Sequence, residues 1–163
     1  MNARLIFASL ASLLVTASAV ADWEALILPR DFQSESSLAK AVFAAKQAGK
    51  HVILYYTRTN CPPCRVLQGR LRIESVAKPY RESYVFTAVW GSSMGDSERE
   101  HYRRRFGVLG APTWLAFTND GKYICTSSGG FETDQGAAAL HQAIQAHLAG
   151  AEENASNEPR SCI

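Results

Sequence analysis

Apolar residues recur at helical spacing through Ser37–Ala48, where Leu38, Ala41, Val42 and Ala45 share a face and Gly49 marks the stop. The next run, His51–Thr57, is nearly continuous in apolar, β-branched and aromatic residues, which predicts a central strand covered on both faces. It leads directly into Cys61-Pro62-Pro63-Cys64. A helix is expected from Pro62, because proline is tolerated in a first turn whose N–H groups have no intrahelical partner, with Val66, Leu67 and Leu71 as its buried face. Tyr84–Val89 reads as a second strand, parallel to the first and joined to it by a right-handed βαβ crossover. Ser97–Phe106 reads as a helix closed by Gly107. After it, Thr113–Phe117 and Tyr123–Ser127 flank Asn119-Asp120-Gly121-Lys122, a strong hairpin signal. A last helix follows Phe131, capped by Thr133 or Asp134, with Ala137, Leu140, Ile144 and Leu148 inward and Gly150 at its end.

The two ends of the chain differ from this pattern. Arg4 precedes an apolar run from Leu5 to Val15, then small residues with Ala19 and Ala21 in an A-x-A arrangement, so residues 1–21 read as a secretory signal peptide cleaved before Asp22. The alternative is a membrane anchor, but the run is shorter than the ~20 residues that span a bilayer. Residues 151–163 are polar and aperiodic and are expected to be a disordered tail whose removal is tolerated. Between them, residues 22–150 form one domain. The formal charge of +2 becomes +1 once Arg4 is lost with the leader, and the only basic run, Arg103-Arg104-Arg105, points three ways around a helix. No nucleic-acid partner is implied.

Chemistry concentrates in the cysteines. Cys61 stands just before a helix N-terminus, where unsatisfied N–H groups and the helix dipole favour a thiolate. Cys64, within one turn, can resolve a mixed disulfide formed at Cys61. Half of a zinc site has the same C-x-x-C spacing, but Cys125 and Cys162 are isolated. His51, His101, His141 and His147 form no partner cluster either, so no metal or other cofactor is expected. Cys125 reads as a small hydrophobe in a strand, a buried free thiol, with a Cys125–Cys162 disulfide as the alternative that a flexible tail would permit. Tyr80, Tyr84 and Phe117 read as core aromatics, while Trp90 and Trp114, near strand ends, are candidates to border a substrate groove.

The strand–C-x-x-C–helix of Val52–Leu71, followed by Gly110-Ala111-Pro112-Thr113 before a strand and by Asn119-Asp120-Gly121-Lys122, resembles the thioredoxin family over about residues 37–149. That resemblance implies an α/β fold, a central mixed sheet of about four strands flanked by helices, with a βαβ unit, an antiparallel hairpin and a C-terminal helix. It also implies a cis Ala111–Pro112 bond against the disulfide, with the backbone of Ala111 pairing with an extended substrate. Ala45–Leu71 and Cys-Pro-Pro-Cys-Arg are most similar to exported, reductive members. Two positions depart from the family. Asn60 stands where a tryptophan usually precedes the first cysteine, and the buried acid of the central strand falls at Tyr55. The second change leaves Tyr55, Tyr56 or a water to take the proton of Cys64.

The function implied is a periplasmic thiol–disulfide oxidoreductase with Cys61 and Cys64 as catalytic pair and Ala111 and Pro112 as substrate-binding residues. Its expected partners are disulfide-containing exported proteins and a membrane-bound electron donor, with the chain a monomer. The competing reading is a non-catalytic binding protein or Cu(I) chaperone using the same thiolates, although neither Met1 nor Met94 lies beside the motif. Direction of electron flow is read from Pro62 and Pro63. They remove two N–H donors from the turn that would solvate the Cys61 sulfur, which places the potential nearer the ~−270 mV of thioredoxin than the ~−120 mV of the strongest oxidant.

Overall fold

The structure, a computed structural model, describes residues 34–129, 131–150 and 159–163, so the expected leader and its cleavage site lie outside the described residues. Helix α1 (Ser34–Ala48) leads into strand β1 (His51–Thr57), followed by α2 (Pro62–Arg70), α3 (Glu74–Ser83) and β2 (Tyr84–Trp90). A 3-10 turn at Gly91–Ser93 precedes α4 (Asp96–Phe106), β3 (Thr113–Phe117), β4 (Tyr123–Ser127) and α5 (Asp134–Ala149). The four strands form one sheet in the order β2-β1-β3-β4, with β1 and β2 parallel and the other pairs antiparallel. This is the thioredoxin-like α/β arrangement expected from the order of elements. Among the described residues, no helix is long and apolar enough to cross a membrane.

Strand β1 is buried from Val52 to Thr57 because helices cover both faces of the sheet. Alternation along the strand divides its side chains between two cores. Ile53 and Tyr55 pack with Leu67, Tyr80, Trp114 and Leu140, the layer of α2, α3 and α5. Val52, Leu54 and Tyr56 pack with Ala45, Tyr102 and Phe106, the layer of α1 and α4. Trp114, expected as a possible groove residue, is only 1 % exposed in the first of these cores. Opposite Tyr55 in the register of β1 and β3, its ring faces inward rather than toward a substrate.

Helix α3 was not legible as an element. Pro79 lies inside it, where it can offer no N–H to the preceding turn. Its buried residues Val76, Ala77 and Tyr80 nevertheless supply a stripe at helical spacing, and the Tyr80 hydroxyl donates to the Ala137 carbonyl of α5 at 2.5 Å. In α2 the expected apolar face is only partly correct: Leu67 and Leu71 are buried, but Val66 is 52 % exposed because it lies on the opposite side of the helix. Thr133 caps α5, accepting from the Gly136 N–H at 3.0 Å.

The end of the chain departs most from expectation. Residues 159–163 are docked: Ser161 bridges Thr126 in parallel, the Thr126 N–H donates to the Arg160 carbonyl at 2.7 Å, and the Cys162 N–H donates to the Thr126 carbonyl at 2.9 Å. Cys162 forms a disulfide with Cys125, the two Cα atoms 5.1 Å apart. Both sulfur residues are buried, so the free thiol expected at Cys125 and the disorder expected of this segment are corrected together. The physical reason is backbone pairing. Thr126 has N–H and C=O groups to satisfy on the outer side of β4, and three tail residues meet that need whatever their side-chain polarity.

Two histidines give the fold a pH dependence. His141 stacks edge-on to Tyr80 and Tyr84. Burial lowers its pKa from the ordinary 6.5, and burial does the same at His51 against a weaker opposing pull from Asp120. Below that value the unfolded chain binds protons that the folded one resists, so this contribution to stability is present above about pH 6.5 and lost as pH falls. Urea midpoints should be flat between pH 8 and 7 and decline below about 6.5, with a shallower decline in His141→Phe. An unchanged slope in that variant would exclude His141 as a source.

Candidate active site

Strand β1 delivers the chain to the sulfur motif through a turn in which Asn60 adopts φ 53, a left-handed conformation that asparagine tolerates better than most residues. The Thr59 N–H donates to the Ser92 hydroxyl at 3.3 Å, tying this turn to the segment after β2. Cys61 then caps α2 in an extended conformation, and the two prolines occupy the first turn. With no N–H at Pro62 or Pro63, it is the Cys64 N–H that reaches the Cys61 sulfur, at 3.2 Å. Cys61 and Cys64 are joined as a disulfide with Cα atoms 5.2 Å apart, and each is only 3 % exposed.

Facing them is the loop between α4 and β3. Gly107 ends α4 with φ 68, and the Ala111–Pro112 peptide is cis. The Ala111 carbonyl oxygen lies 3.6 Å from the Cys61 sulfur, an S···O approach that sets the loop against the disulfide. Thr113 fastens the loop by donating to the Gly110 carbonyl at 2.6 Å. The arrangement thus brings Cys61, Cys64 and Ala111 together, with Pro112 next in the chain. Leu109, two residues before Ala111 in the chain, is 84 % exposed.

The possible proton acceptors of β1 separate by face. Tyr55 shares the core of Cys61 and Cys64, whereas Tyr56 points into the opposite core. Burial raises the pKa of both hydroxyls, so neither is a base at neutral pH. The Tyr55 hydroxyl is buried and makes no more than a weak contact with the Thr57 side chain. Tyr55→Phe should therefore leave the exchange rate within about twofold and change stability by no more than about 1 kcal/mol, since the buried hydroxyl it removes is weakly partnered. Stopped-flow exchange and urea unfolding check this. A tenfold loss of rate with a displaced pH profile would instead make Tyr55 part of a proton relay.

Beside the motif lies a cleft of about 650 Å³ lined by Arg58, Asn60, Cys61, Cys64, Arg65 and Trp90, among others. Trp90 was anticipated as a groove residue. Arg58 and Arg65 were not singled out, because the sequence does not show that they flank one opening.

Residues 38–144 match the family model of a thioredoxin-like domain. Among solved structures, a disulphide isomerase from Xylella fastidiosa Temecula1 superposes with a TM-score of 0.59 at 21% identity, covering 72% of this chain and 95% of that one, a likeness of fold. A redox protein from Chlamydomonas reinhardtii matches with a TM-score of 0.48 at 20% identity, covering 75% of this chain and 34% of that one. A thioredoxin-fold protein from Helicobacter pylori gives 0.41 at 15%, covering 68% of this chain and 98% of that one. No curated protein matches the sequence.

Proposed function

The chain belongs to the thioredoxin-like domain family and carries its Cys61–Cys64 pair at disulfide distance, which makes it a thiol–disulfide oxidoreductase; from that premise we propose that it reduces or exchanges disulfides in exported proteins of the periplasm, drawing electrons from a membrane-bound donor. The observation that carries the reading is the approach of the Ala111 carbonyl to the sulfur of Cys61 at the head of α2. In the reduced protein, the Cys61 thiolate attacks one sulfur of a substrate disulfide and expels the other as a thiolate. Cys64, deprotonated, attacks Cys61 in the mixed disulfide and releases the second substrate thiol. Two electrons and two protons pass to the substrate, and Cys61–Cys64 returns to the disulfide. Ala111 and Pro112 hold the substrate segment in line for both attacks.

What surrounds the sulfur supports the reductive direction. A thiolate at Cys61 is solvated by the Cys64 N–H, lacks the two N–H groups that Pro62 and Pro63 replace, and has a carbonyl oxygen close by. Such a thiolate is modestly stabilised, which favours a reductant over an oxidant. Equilibration with glutathione at known ratios should give a potential nearer about −270 mV than −120 mV, and a value above about −150 mV would make the protein an oxidase. Export is tested separately by intact mass. A mature chain beginning at or near Asp22 supports the periplasmic assignment, and one that retains Met1–Ala21 refutes it.

A further inference from the structure

We propose that the cleft beside Cys61 selects disulfides that carry a carboxylate next to the reacting sulfur. The inference rests on the exchange reading above and names the substrate class that this site prefers. None of the residues lining the cleft is an acid, while Arg58 and Arg65 both border it and both side chains are exposed. The ion pairs formed among the described residues engage other cations and leave these two out. Gln68 and Ser92 add hydrogen-bonding groups, and Trp90 contributes an indole whose N–H is buried without an acceptor among the described residues. Donors thus dominate on this side of the sulfur pair. A substrate sulfur joined to Cys61 lies beside a cleft bordered by two guanidinium groups. Those groups match a carboxylate in charge and in their forked geometry.

Two sources share this chemistry: an Asp or Glu adjacent to the cysteine of an exported protein, and the carboxylates of a glutathionyl mixed disulfide. The cleft volume of about 650 Å³ accommodates either.

The test uses the reduced mature protein and four disulfides: a peptide disulfide with Glu beside the cysteine, its Gln counterpart, glutathione disulfide, and the neutral diester of glutathione disulfide. Thiol release gives kcat/KM for each. The Glu peptide should react about fivefold faster than the Gln peptide in dilute buffer. That ratio should approach one in 0.5 M salt, and also in the double variant Arg58→Gln, Arg65→Gln. A comparable ratio for glutathione disulfide over its ester extends the selectivity to glutathionyl substrates, and its absence assigns the cleft to acidic protein segments. Equal rates for the Glu and Gln peptides overturn the inference and leave the exchange reading intact. Failure to reduce any of the four overturns the exchange reading itself. A ratio that persists in the double variant also refutes the proposal, because the selectivity would then arise outside these guanidinium groups.

Discussion

Replacing Cys61 by serine is expected to reduce disulfide exchange to background, a loss on the order of 10³-fold or more, because Cys64, the other thiol of the site, lacks the helix-cap position that favours a thiolate. Cys64→Ser gives a different result. Cys61 still attacks, the resolving sulfur is gone, and substrate proteins remain attached. Non-reducing gels of cells expressing each variant should show these adducts with Cys64→Ser and none with Cys61→Ser. The reverse pattern would exchange the two roles. The assignment rests on the position of Cys61 as the cap of α2, with the Cys64 N–H 3.2 Å from its sulfur and the Ala111 carbonyl 3.6 Å away. Both variants should remain folded, since each changes one small buried atom at the end of a helix.

Removal of residues 151–163, or the double change Cys125→Ala, Cys162→Ala, should lower stability by about 2–4 kcal/mol. The bridged residues are 37 apart in sequence, and loop closure of that length is worth about 4 kcal/mol on the chain-entropy account. The ion pairs of α4, between Arg103, Arg104 and Glu100, are exposed and screened by solvent, so the bridge outweighs any one of them. The tail does more than close a loop. The Tyr123 hydroxyl interacts with the backbone of Arg160, and Pro159 stands against Gly107, where an added Cβ would come within 3.2 Å of it. Gly107 opens the loop that carries Ala111, so loss of the tail should also raise the KM for peptide disulfides while the Cys61–Cys64 potential stays put. Urea unfolding of the oxidised proteins decides the main point. A change below about 0.5 kcal/mol would mean that the docked tail contributes nothing to the fold.

What could be read from the chain without its structure follows the strength of local signals. Strand β1 and the C-x-x-C helix were legible because a doubly covered strand is a continuous apolar run and because two prolines fit only a first helical turn. The hairpin was legible because Gly121, at φ 85, occupies a position that favours glycine. Helix α3 was missed because Pro79 and the polar residues around it mask a short stripe. The partner of Cys125 was misread for a different reason. Composition reports whether a segment can build its own core, and the tail cannot; it says nothing about whether a strand elsewhere has backbone groups to pair with it. The cleft of Arg58, Arg65 and Trp90 lay beyond reach on the same grounds, since its walls come from the turn after β1, from α2 and from the end of β2.

The docked tail also links the finished sheet to its redox surroundings. Thiols in a reducing compartment keep Cys125 and Cys162 apart, and the tail then has only a few hydrogen bonds to hold it. Released, it uncovers an unpaired strand flank on β4, the kind of surface on which chains add to one another end over end. Material made in a reducing cytosol would therefore be expected to self-associate, and the same polypeptide oxidised before concentration to stay dispersed. For this chain, closure of the Cys125–Cys162 bridge and protection from aggregation would be the same chemical event.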